Sequence, residues 1–426
     1  MFDRVLTRNF GLPRSESIDT YLANSGYQAL HKALHEYTPQ QLIETVTASG
    51  LRGRGGAGFP AGRKWDFMPK DPKIEKYVCV NTDEGEPGTF KDRELVEKDP
   101  HQIIEGVIIA SYAVGAQRAF VYIRGEFFLG VKRWIKAIDD AYARGFLGKN
   151  ILGSGFSMDL SVHRGAGAYI CGEETALIES LEGKRGQPRK KPPYPASVGL
   201  WGKPTLVHNV ETLANVPHIV NRGAPWYAGI GTPKSAGPKI FCISGHVRNR
   251  GVFELPLGVP LRQIIEEHAG GMAFDKKLKA VIPGGASTPM LTPQQVDTPM
   301  AFETLEAAGT MLGTGAIVVM NEETCMVDVA RRLMRFFAHE SCGHCSPCRI
   351  GTQRMLGILE RLESGKGKPG DVQLLEELAR GIRGRTFCPM GDAAVNPVLS
   401  GLQLFRDEYD YHVKYRRCAV TLSQPS

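Results

Sequence analysis

The spacing of apolar and polar residues predicts alternating strands and helices in the first half of the chain. Short apolar runs typical of buried strands occur at residues 77–81 and 119–123, and another strand is predicted around residues 160–163. Residues 103–116 and 133–143 lie between or beside them and repeat their apolar positions at helical spacing. Such alternation is typical of α/β proteins, in which helices pack on a parallel sheet. We therefore predict N-terminal helices and a Rossmann-like, mostly parallel α/β domain over residues 1–236.

The pattern changes after residue 236. The Gly-, Pro- and Ser-rich stretch 231–239 is predicted to be a linker. Two strand-like runs, a short helical run and two more strand-like runs follow, which predicts a compact ubiquitin-like α+β domain over residues 237–324, with Phe241, Ile243 and Val281 in its core. Helical spacing dominates from residue 325 to 426, where we predict a small helical domain.

Composition and charge narrow the function classes. The 426 residues are 42% hydrophobic and 23% charged, which is typical of a globular protein with several cores. A membrane span or a secretory signal is not evident, so we expect a cytoplasmic protein without direct membrane insertion. The net charge of +7 is modest and basic residues are not interleaved with aromatic ones, so nucleic acid is not an expected partner.

Four cysteines near the C-terminal end form a metal-binding pattern. Cys342, Cys345 and Cys348 are spaced C-x2-C-x2-C, and Cys388 follows from a distant loop with a proline after it. Three thiolates on one loop and a fourth from elsewhere suit a [4Fe-4S] cluster. Four thiolates also hold structural zinc, so zinc remains the competing interpretation. The other five cysteines are predicted to be small buried apolar residues or ordinary thiols.

A glycine-rich loop at residues 53–58 matches G-x-G-x-x-G without the context of a dinucleotide fingerprint. The residues before it predict a capped helix that ends at Gly50, and residues 59–70 are a poor helix start. A Rossmann fingerprint instead follows a strand and opens a helix. Glycines still let backbone N–H groups approach an anion, and Arg52, Arg54 and Lys64 add positive charge. We predict a phosphate-binding loop that is not of the Rossmann type.

Two further stretches are predicted to meet this loop. Polar residues cluster at the carboxyl end of the first strand, where open α/β sheets bind ligands: Asn81, Asp83, Glu84 and Glu86. Glu173 and Glu174 begin a helix after another strand. They are either ordinary N-terminal helix acids or acceptors for ribose hydroxyls. Phe59 and Phe67 are either core residues or a slot for a planar base.

Several long motifs together resemble one family. They include RGRGGAGFP, NTDEGEPGTFKDR, RGAGAYICGEETAL, KPPYP, GLWGKPT, NVETL and ESCGHCSPCR. In this order they resemble the NADH-binding FMN subunit of respiratory NADH:quinone oxidoreductase, complex I, from about residue 20 to 410. The chain differs from some relatives at Tyr194 and His208, and a tyrosine at the first position can still stack on a base.

The resemblance implies a set of site residues. Those expected at FMN are Gly53, Arg54, Gly55, Gly56, Lys64, Asn81, Asp83, Glu84, Gly85, Tyr169, Gly172, Glu173 and Asn209. Those expected at NADH are the aromatic residues Phe59, Phe67 and Tyr194, together with Glu86 and Glu174 at the catalytic nicotinamide end and ribose. Cys342, Cys345, Cys348 and Cys388 are expected to bind the [4Fe-4S] cluster.

The resemblance also implies fold, reaction and partners. The middle domain would be a β-grasp of the soluble-ligand-binding (SLBB) type, with a structural or docking role. NADH would pass a hydride to FMN, and single electrons would then leave through the cluster. Partners would be a thioredoxin-like [2Fe-2S] subunit and a large iron–sulfur subunit, which hold the chain at the inner face of the membrane. The alternatives are a diaphorase subunit of a soluble NAD-linked hydrogenase or formate dehydrogenase, and a zinc-stabilised, non-catalytic binding module.

Overall fold

A four-stranded parallel sheet forms the centre of the first part of the chain. The computed structural model describes residues 3–420, so the outer ends of the first and third predicted domains, residues 1–2 and 421–426, lie outside the described residues. The strands are β1 (Tyr77–Thr82), β2 (Arg118–Ile123), β3 (Asp159–Arg164) and β4 (Thr205–Asn209), in the order β3-β2-β1-β4. All three pairings are parallel, which confirms the predicted sheet. The sequence patterns did not predict β4.

Helices cover the sheet and extend the first part at both ends. They are α1 (Ile18–Ala23), α2 (Gln28–Glu36), α3 (Pro39–Ala48), α4 (Ala61–Asp66), α5 (Lys91–Lys98), α6 (Pro100–Val114), α7 (Phe128–Ala143), α8 (Glu174–Leu181), α9 (Val210–Arg222) and α10 (Ala224–Ala228). A capping box of Thr38 and Gln41 begins α3, as the sequence predicts. The expectation of a poor helix start after the glycine loop was wrong, because α4 begins at Ala61. Pro60 precedes it with φ already near −60°.

The predicted linker is an ordered and partly buried segment. It contains the hairpin strands β5 (Gly231–Thr232) and β6 (Ser235–Ala236) and the start of the next strand. Gly231 and Gly237 have φ of 91° and 90°, which only glycine adopts without strain. Lys239 is 1% exposed and its Nζ lies 2.7 Å from Glu211 Oε2. The linker prediction was wrong because tight turns need the same residues as flexible connections.

The middle part is a β-grasp sheet. Its elements are β7 (Pro238–Gly245), β8 (Gly251–Pro256), α11 (Leu261–Gln263) with a π-helical turn (Ile264–His268), β9 (Leu278–Ile282), α12 (Phe302–Ala307) and β10 (Ala316–Asn321). The order is β8-β7-β10-β9, with β7 and β10 parallel and the outer pairs antiparallel. Phe241, Ile243 and Val281 are fully buried in its core. The ubiquitin-like prediction is confirmed.

In the last part, as far as residue 420, the structure has four helices: α13 (Met326–Glu340), α14 (Ser346–Glu363), α15 (Asp371–Ile382) and α16 (Met390–Tyr415). Phe337, Cys348 and Met390 of this part share a hydrophobic cluster with Ile170 and Cys171 of the first part. The cysteine-bearing loops therefore pack directly against the α/β domain. None of the helices within residues 3–420 combines the length and the apolar character needed to cross a bilayer.

Candidate functional site

All three parts of the chain surround one cavity of about 420 Å³ beside the carboxyl end of β1. The structure brings together most of the residues expected at FMN, and twelve of the predicted site residues line the cavity: Gly55, Gly56, Asn81, Asp83, Glu84, Gly85, Glu86, Tyr169, Gly172, Glu173, Asn209 and Cys388. The β-grasp domain contributes Gly284, Ser287, Thr288, Met311, Gly313 and Thr314. Sequence reasoning missed this wall of the cavity.

The glycine loop is a closed turn that rests on the start of α9. Gly53 N–H donates to Phe59 O at 2.8 Å, and Arg52 Nε donates to Gly58 O at 2.7 Å. Gly56 has φ of 128°, and a Cβ on Gly55 would lie 3.0 Å from Asn209 Cβ. Larger residues would fill the space between the loop and the helix. The backbone can therefore approach a ligand closely, as a phosphate-binding loop requires.

The Arg54 side chain does not reach this cavity. It is 1% exposed, and its Nη2 donates to Tyr227 Oη at 3.1 Å and to Ala236 O at 2.7 Å. The backbone N–H of Arg54 donates to Thr212 Oγ1 at 2.8 Å. The structure thus contradicts the expectation that this guanidinium contacts a phosphate, because Arg54 anchors the loop from below. Gly53 also lies outside the cavity lining.

Asp83 presents an unpartnered buried carboxyl group to the cavity. The residue is buried, with 7% of its surface exposed, and neither carboxyl oxygen has a hydrogen-bond partner in the described residues. Burial raises the pKa of Asp83 to about 7, against the opposing effect of Arg124. Asn81 beside it donates from Nδ2 to Gly172 O at 2.8 Å. A ligand with hydroxyl donors, such as the ribityl chain of FMN, fits this group, because buried acceptors need donors.

Glu86 is fixed between two domains. Tyr169 Oη donates to Glu86 Oε2 at 2.6 Å, and the Ser287 backbone N–H donates to Oε1 at 2.7 Å. Burial raises the Glu86 pKa, and these two bonds oppose the rise. The carboxylate is therefore held in one orientation at the junction of the α/β sheet and the β-grasp domain.

A buried network of charges supports the floor of the cavity. Lys91 Nζ lies 2.6 Å from Asp92 Oδ1 and 2.8 Å from Glu211 Oε2, and all three side chains are at most 5% exposed. Glu84 accepts from the backbone N–H groups of Asp92 and Arg93 at the start of α5. Burial would lower the Lys91 pKa, but Asp92, Glu211 and Glu84 raise it above its usual value. Lys91 lines the cavity as a cation and was missed, although it lies within one of the quoted motifs.

Lys64 and Glu174 pair with each other outside the cavity lining. Lys64 Nζ lies 2.7 Å from Glu174 Oε2, and Lys191 Nζ lies 2.9 Å from Oε1. Burial would raise the Glu174 pKa, but these two lysines lower it to about 2. Glu173 caps α8 by accepting from the backbone N–H groups of Thr175 and Ala176. Glu173 therefore has the ordinary helix-capping role that the sequence left open, and it lines the cavity as well.

Phe59, Phe67 and Tyr194 are not core residues. They are 44%, 53% and 59% exposed. The Phe59 and Phe67 ring centroids lie 6.1 Å apart. The core alternative for the two phenylalanines was therefore wrong, because both rings are exposed to solvent. His208 points away, since it accepts a hydrogen bond from Trp65 Nε1 at 2.8 Å and is absent from the cavity lining.

The four predicted cluster cysteines come from two loops at the base of the helical domain. Cys342, Cys345 and Cys348 lie between α13 and the first turn of α14, and Cys388 precedes α16. All four belong to or pack against the hydrophobic cluster that contains Ile170. Burial raises the pKa of the Cys388 thiol to about 12, so metal binding there would release a proton.

Comparisons with known proteins identify the family. The model of the Nuo51 FMN-binding domain matches residues 46–218, the SLBB domain matches 239–319, and the NADH-ubiquinone oxidoreductase-F iron-sulfur binding region matches 328–412. An NADH-quinone oxidoreductase subunit of Rhizobium meliloti (strain 1021) is 54% identical over 418 residues, which cover 98% of this chain and 99% of that protein. The chain belongs to the family of NADH-quinone oxidoreductase subunits that contain these FMN-binding and iron–sulfur regions.

This family membership confirms the resemblance and the predicted cofactors, FMN and a [4Fe-4S] cluster. The alternative of a zinc-stabilised module without catalytic function is therefore set aside. Hydrogenase relatives are also similar. The NADP-reducing hydrogenase subunit HndC of Solidesulfovibrio fructosivorans is 47% identical over 97% of this chain and 84% of that protein. A chain of an NAD+-reducing [NiFe]-hydrogenase in the H2-reduced state has a TM-score of 0.84 and 37% identity, over 97% of this chain and 67% of that one.

Proposed function

We propose that this chain oxidises NADH and delivers the electrons to its [4Fe-4S] cluster, as the electron-input subunit of NADH:quinone oxidoreductase. One observation carries the proposal: the cavity that contains the glycine loop and the β1 acids also contains Cys388. When bound, FMN would accept a hydride from NADH and release electrons singly to the cluster. The residues of this chain bind and orient FMN and NADH and tune the flavin potential. A side-chain nucleophile or general acid is therefore not needed.

We assign FMN to the cavity. The backbone of the glycine loop and Lys91 would favour its phosphate, and Asp83 and Asn81 would accept from or donate to its polar groups. Glu84 and Asn209 would contact FMN from the floor of the cavity. Each also accepts a hydrogen bond from a backbone N–H group at the start of a helix. The remaining contacts come from Gly85, Tyr169, Gly172 and Glu173. Lys64 and Arg54 would act indirectly, through Glu174 and through the loop backbone.

We assign NADH to three exposed aromatic residues, of which Phe59 and Phe67 follow the glycine loop in the sequence. Phe59, Phe67 and Tyr194 would stack on its planar groups, with Glu86 and Glu174 near the nicotinamide end and ribose. A fixed carboxylate at Glu86 disfavours additional negative charge on a neighbouring flavin. Replacing Glu86→Gln should therefore change the flavin potential or the NADH kinetics, and unchanged values of both would refute this role.

The experiment that tests the function is an absorption spectrum of the anaerobic protein, co-expressed with its neighbouring subunits, before and after NADH. Loss of the flavin band together with the broad iron–sulfur absorbance is expected. The same preparation from a Cys342→Ser variant is the control, because its flavin band should still respond while the share of the iron–sulfur absorbance that comes from the cluster of this chain is lost. A wild-type preparation that contains both cofactors and does not respond to NADH would contradict the proposal.

The hydrogenase relatives support a second candidate, a diaphorase subunit of an NAD(P)-linked hydrogenase. The two functions share the cavity and differ in partners. For the first we propose a thioredoxin-like [2Fe-2S] subunit and a large iron–sulfur subunit, through which the chain lies at the inner face of the membrane. Mass spectrometry of the native complex decides between them: membrane quinone-reducing subunits support the first, and nickel–iron subunits the second.

We also propose the domain division 1–236, 237–324 and 325–426 for this function. It is supported by the start of β7 at Pro238 and the start of α13 at Met326. Each proposed boundary therefore lies within two residues of the first strand or helix of the next domain.

A further inference from the structure

A second group of metal-ligating side chains lies away from the flavin cavity. The candidate ligand atoms of Cys325, His412 and Cys418 all lie within 4.8 Å of one another. The Glu363 carboxylate joins them: its Oε2 lies 3.4 Å from His412 Nε2 and 3.8 Å from Cys325 Sγ. His412 Nε2 lies 3.6 Å from Cys325 Sγ. The proposed function uses none of these residues.

The three separations among Cys325, His412 and Glu363 match edges of a zinc tetrahedron. Zinc bonds of about 2.3 Å to sulfur and about 2.1 Å to nitrogen or oxygen give edges of about 3.6 Å between sulfur and nitrogen or oxygen. The same bond lengths give about 3.4 Å between nitrogen and oxygen. The observed values are 3.6 Å for Cys325 to His412, 3.8 Å for Cys325 to Glu363 and 3.4 Å for His412 to Glu363. Two thiols, an imidazole and a carboxylate are ligands that zinc uses.

The imidazole is oriented as a metal ligand would be. His412 Nδ1 lies 2.7 Å from the backbone carbonyl of Glu408. A carbonyl only accepts, so Nδ1 carries a proton and Nε2 is the ring nitrogen that faces Cys325 and Glu363. A bound metal ion would replace any proton that Nε2 shares with these two groups. Metal-bound histidines usually donate their second nitrogen to a carbonyl or a carboxylate in this way. The ring is 1% exposed, which fixes the orientation.

The backbone brings the four residues together from the ends of three helices. Cys325 caps α13 and its Sγ accepts from Asp328 N–H at 3.4 Å, while Glu363 ends α14. The chain turns back after α16 so closely that a Cβ on Gly365 would lie 2.4 Å from Arg416 O. A cavity of about 760 Å³ reaches Cys325, Glu363 and Cys418 and provides access for an ion.

We propose that Cys325, His412 and Cys418 bind one zinc ion and that Glu363, which lies against two of them, completes the tetrahedron. With Glu363 as the fourth ligand, no position remains for water or substrate, so the site is structural. It fastens the residues after α16 to the ends of α13 and α14. This inference does not depend on the proposed function, because neither the flavin cavity nor the four cluster cysteines take part.

The test is the metal content of the full-length protein, purified anaerobically with its iron–sulfur cluster in place. Zinc and iron are measured by inductively coupled plasma mass spectrometry after dialysis against a mild chelator. We expect one zinc per chain. Cys418→Ser and His412→Gln should lose the zinc. Changes to residues that only support a metal ligand lower the metal affinity about 10- to 100-fold, and loss of a direct ligand should lower it at least as much. Iron content should not change, and Cys242→Ser, a buried thiol elsewhere, is the matched control.

Cobalt provides a second measurement that does not depend on zinc retained from the cell. Co²⁺ added to the chelated protein should give a thiolate-to-cobalt charge-transfer band, which Cys418→Ser weakens and Cys242→Ser leaves unchanged. The proposal is overturned if the wild-type protein with intact iron retains no zinc and shows no such band. A Cys325–Cys418 disulfide in the protein purified from cells would overturn it as well.

Discussion

The unpartnered carboxyl group of Asp83 should make the flavin-free protein less stable as the pH rises. Its pKa is raised from 3.8 to about 7 by burial in the cavity wall. A group whose pKa is higher in the folded than in the unfolded state stabilises the fold below the unfolded pKa. That contribution is lost as the pH rises through the folded pKa. The difference between the folded and unfolded pKa values corresponds to about 4 kcal/mol in the free energy of unfolding. About 3 kcal/mol of this is lost between pH 5 and 8.

Asp83→Asn removes this titration while preserving the shape of the side chain. Thermal unfolding of the flavin-free variant and wild type is compared between pH 5 and 8. The wild type should lose more stability than the variant over this interval, by up to about 3 kcal/mol. The difference between the two proteins isolates Asp83 from other titrating groups. FMN should bind the variant more weakly, because a hydrogen bond to a charged acceptor contributes about 1.5–3 kcal/mol and one to a neutral acceptor about 1 kcal/mol.

Asp139→Asn is the matched control. Asp139 is an exposed residue of α7, so the same chemical change there removes a solvated charge. Its unfolding should follow the wild-type pH dependence. If Asp83→Asn also follows the wild-type curve, the Asp83 carboxyl group is not held in an unfavourable environment and the reasoning is refuted.

Three further predictions concern the floor, the cluster and the aromatic residues. Lys91→Met should destabilise the chain by about 3–5 kcal/mol in denaturant unfolding, because Asp92 and Glu211 lose a buried partner. Lys136→Met, which breaks an exposed pair, should cost less than about 1 kcal/mol. Cys345→Ser should lower iron content and also weaken FMN binding in a fluorescence titration, although it is absent from the cavity lining. Phe67→Ala should raise the KM for NADH by about 5- to 150-fold through lost stacking, whereas Phe128→Ala, also exposed, should not.

The sequence predicted those parts of the molecule whose residues are close together along the chain. The two central strands, β1 and β2, are mostly apolar and buried, as expected for a sheet covered on both faces. The C-x2-C-x2-C spacing indicates a cluster without any knowledge of the fold. Strand β4 was missed because its buried residues include Thr205 and His208, and the buried histidine depends on a hydrogen bond from Trp65.

The rest of the site depends on contacts between residues far apart in the chain. The sequence suggests Arg54 as a phosphate ligand, but in the structure its guanidinium donates a hydrogen bond to Tyr227, 173 positions away. Glu86 receives a hydrogen bond from Ser287, 201 positions away in the β-grasp domain. Neither pairing leaves a local pattern in the sequence. Local spacing therefore identified the ligand-binding segments and failed to assign the side chains that support them.

The shared position of Cys388 has a consequence for biogenesis. The segment that begins at Cys388 both lines the flavin cavity and supplies the last predicted cluster ligand. Until the cluster ties this segment to the loop of Cys342, Cys345 and Cys348, one wall of the cavity lacks its covalent anchor. We therefore expect a newly synthesised chain to bind FMN most tightly after its cluster has formed. NADH oxidation would then begin only when the cluster can accept the electrons.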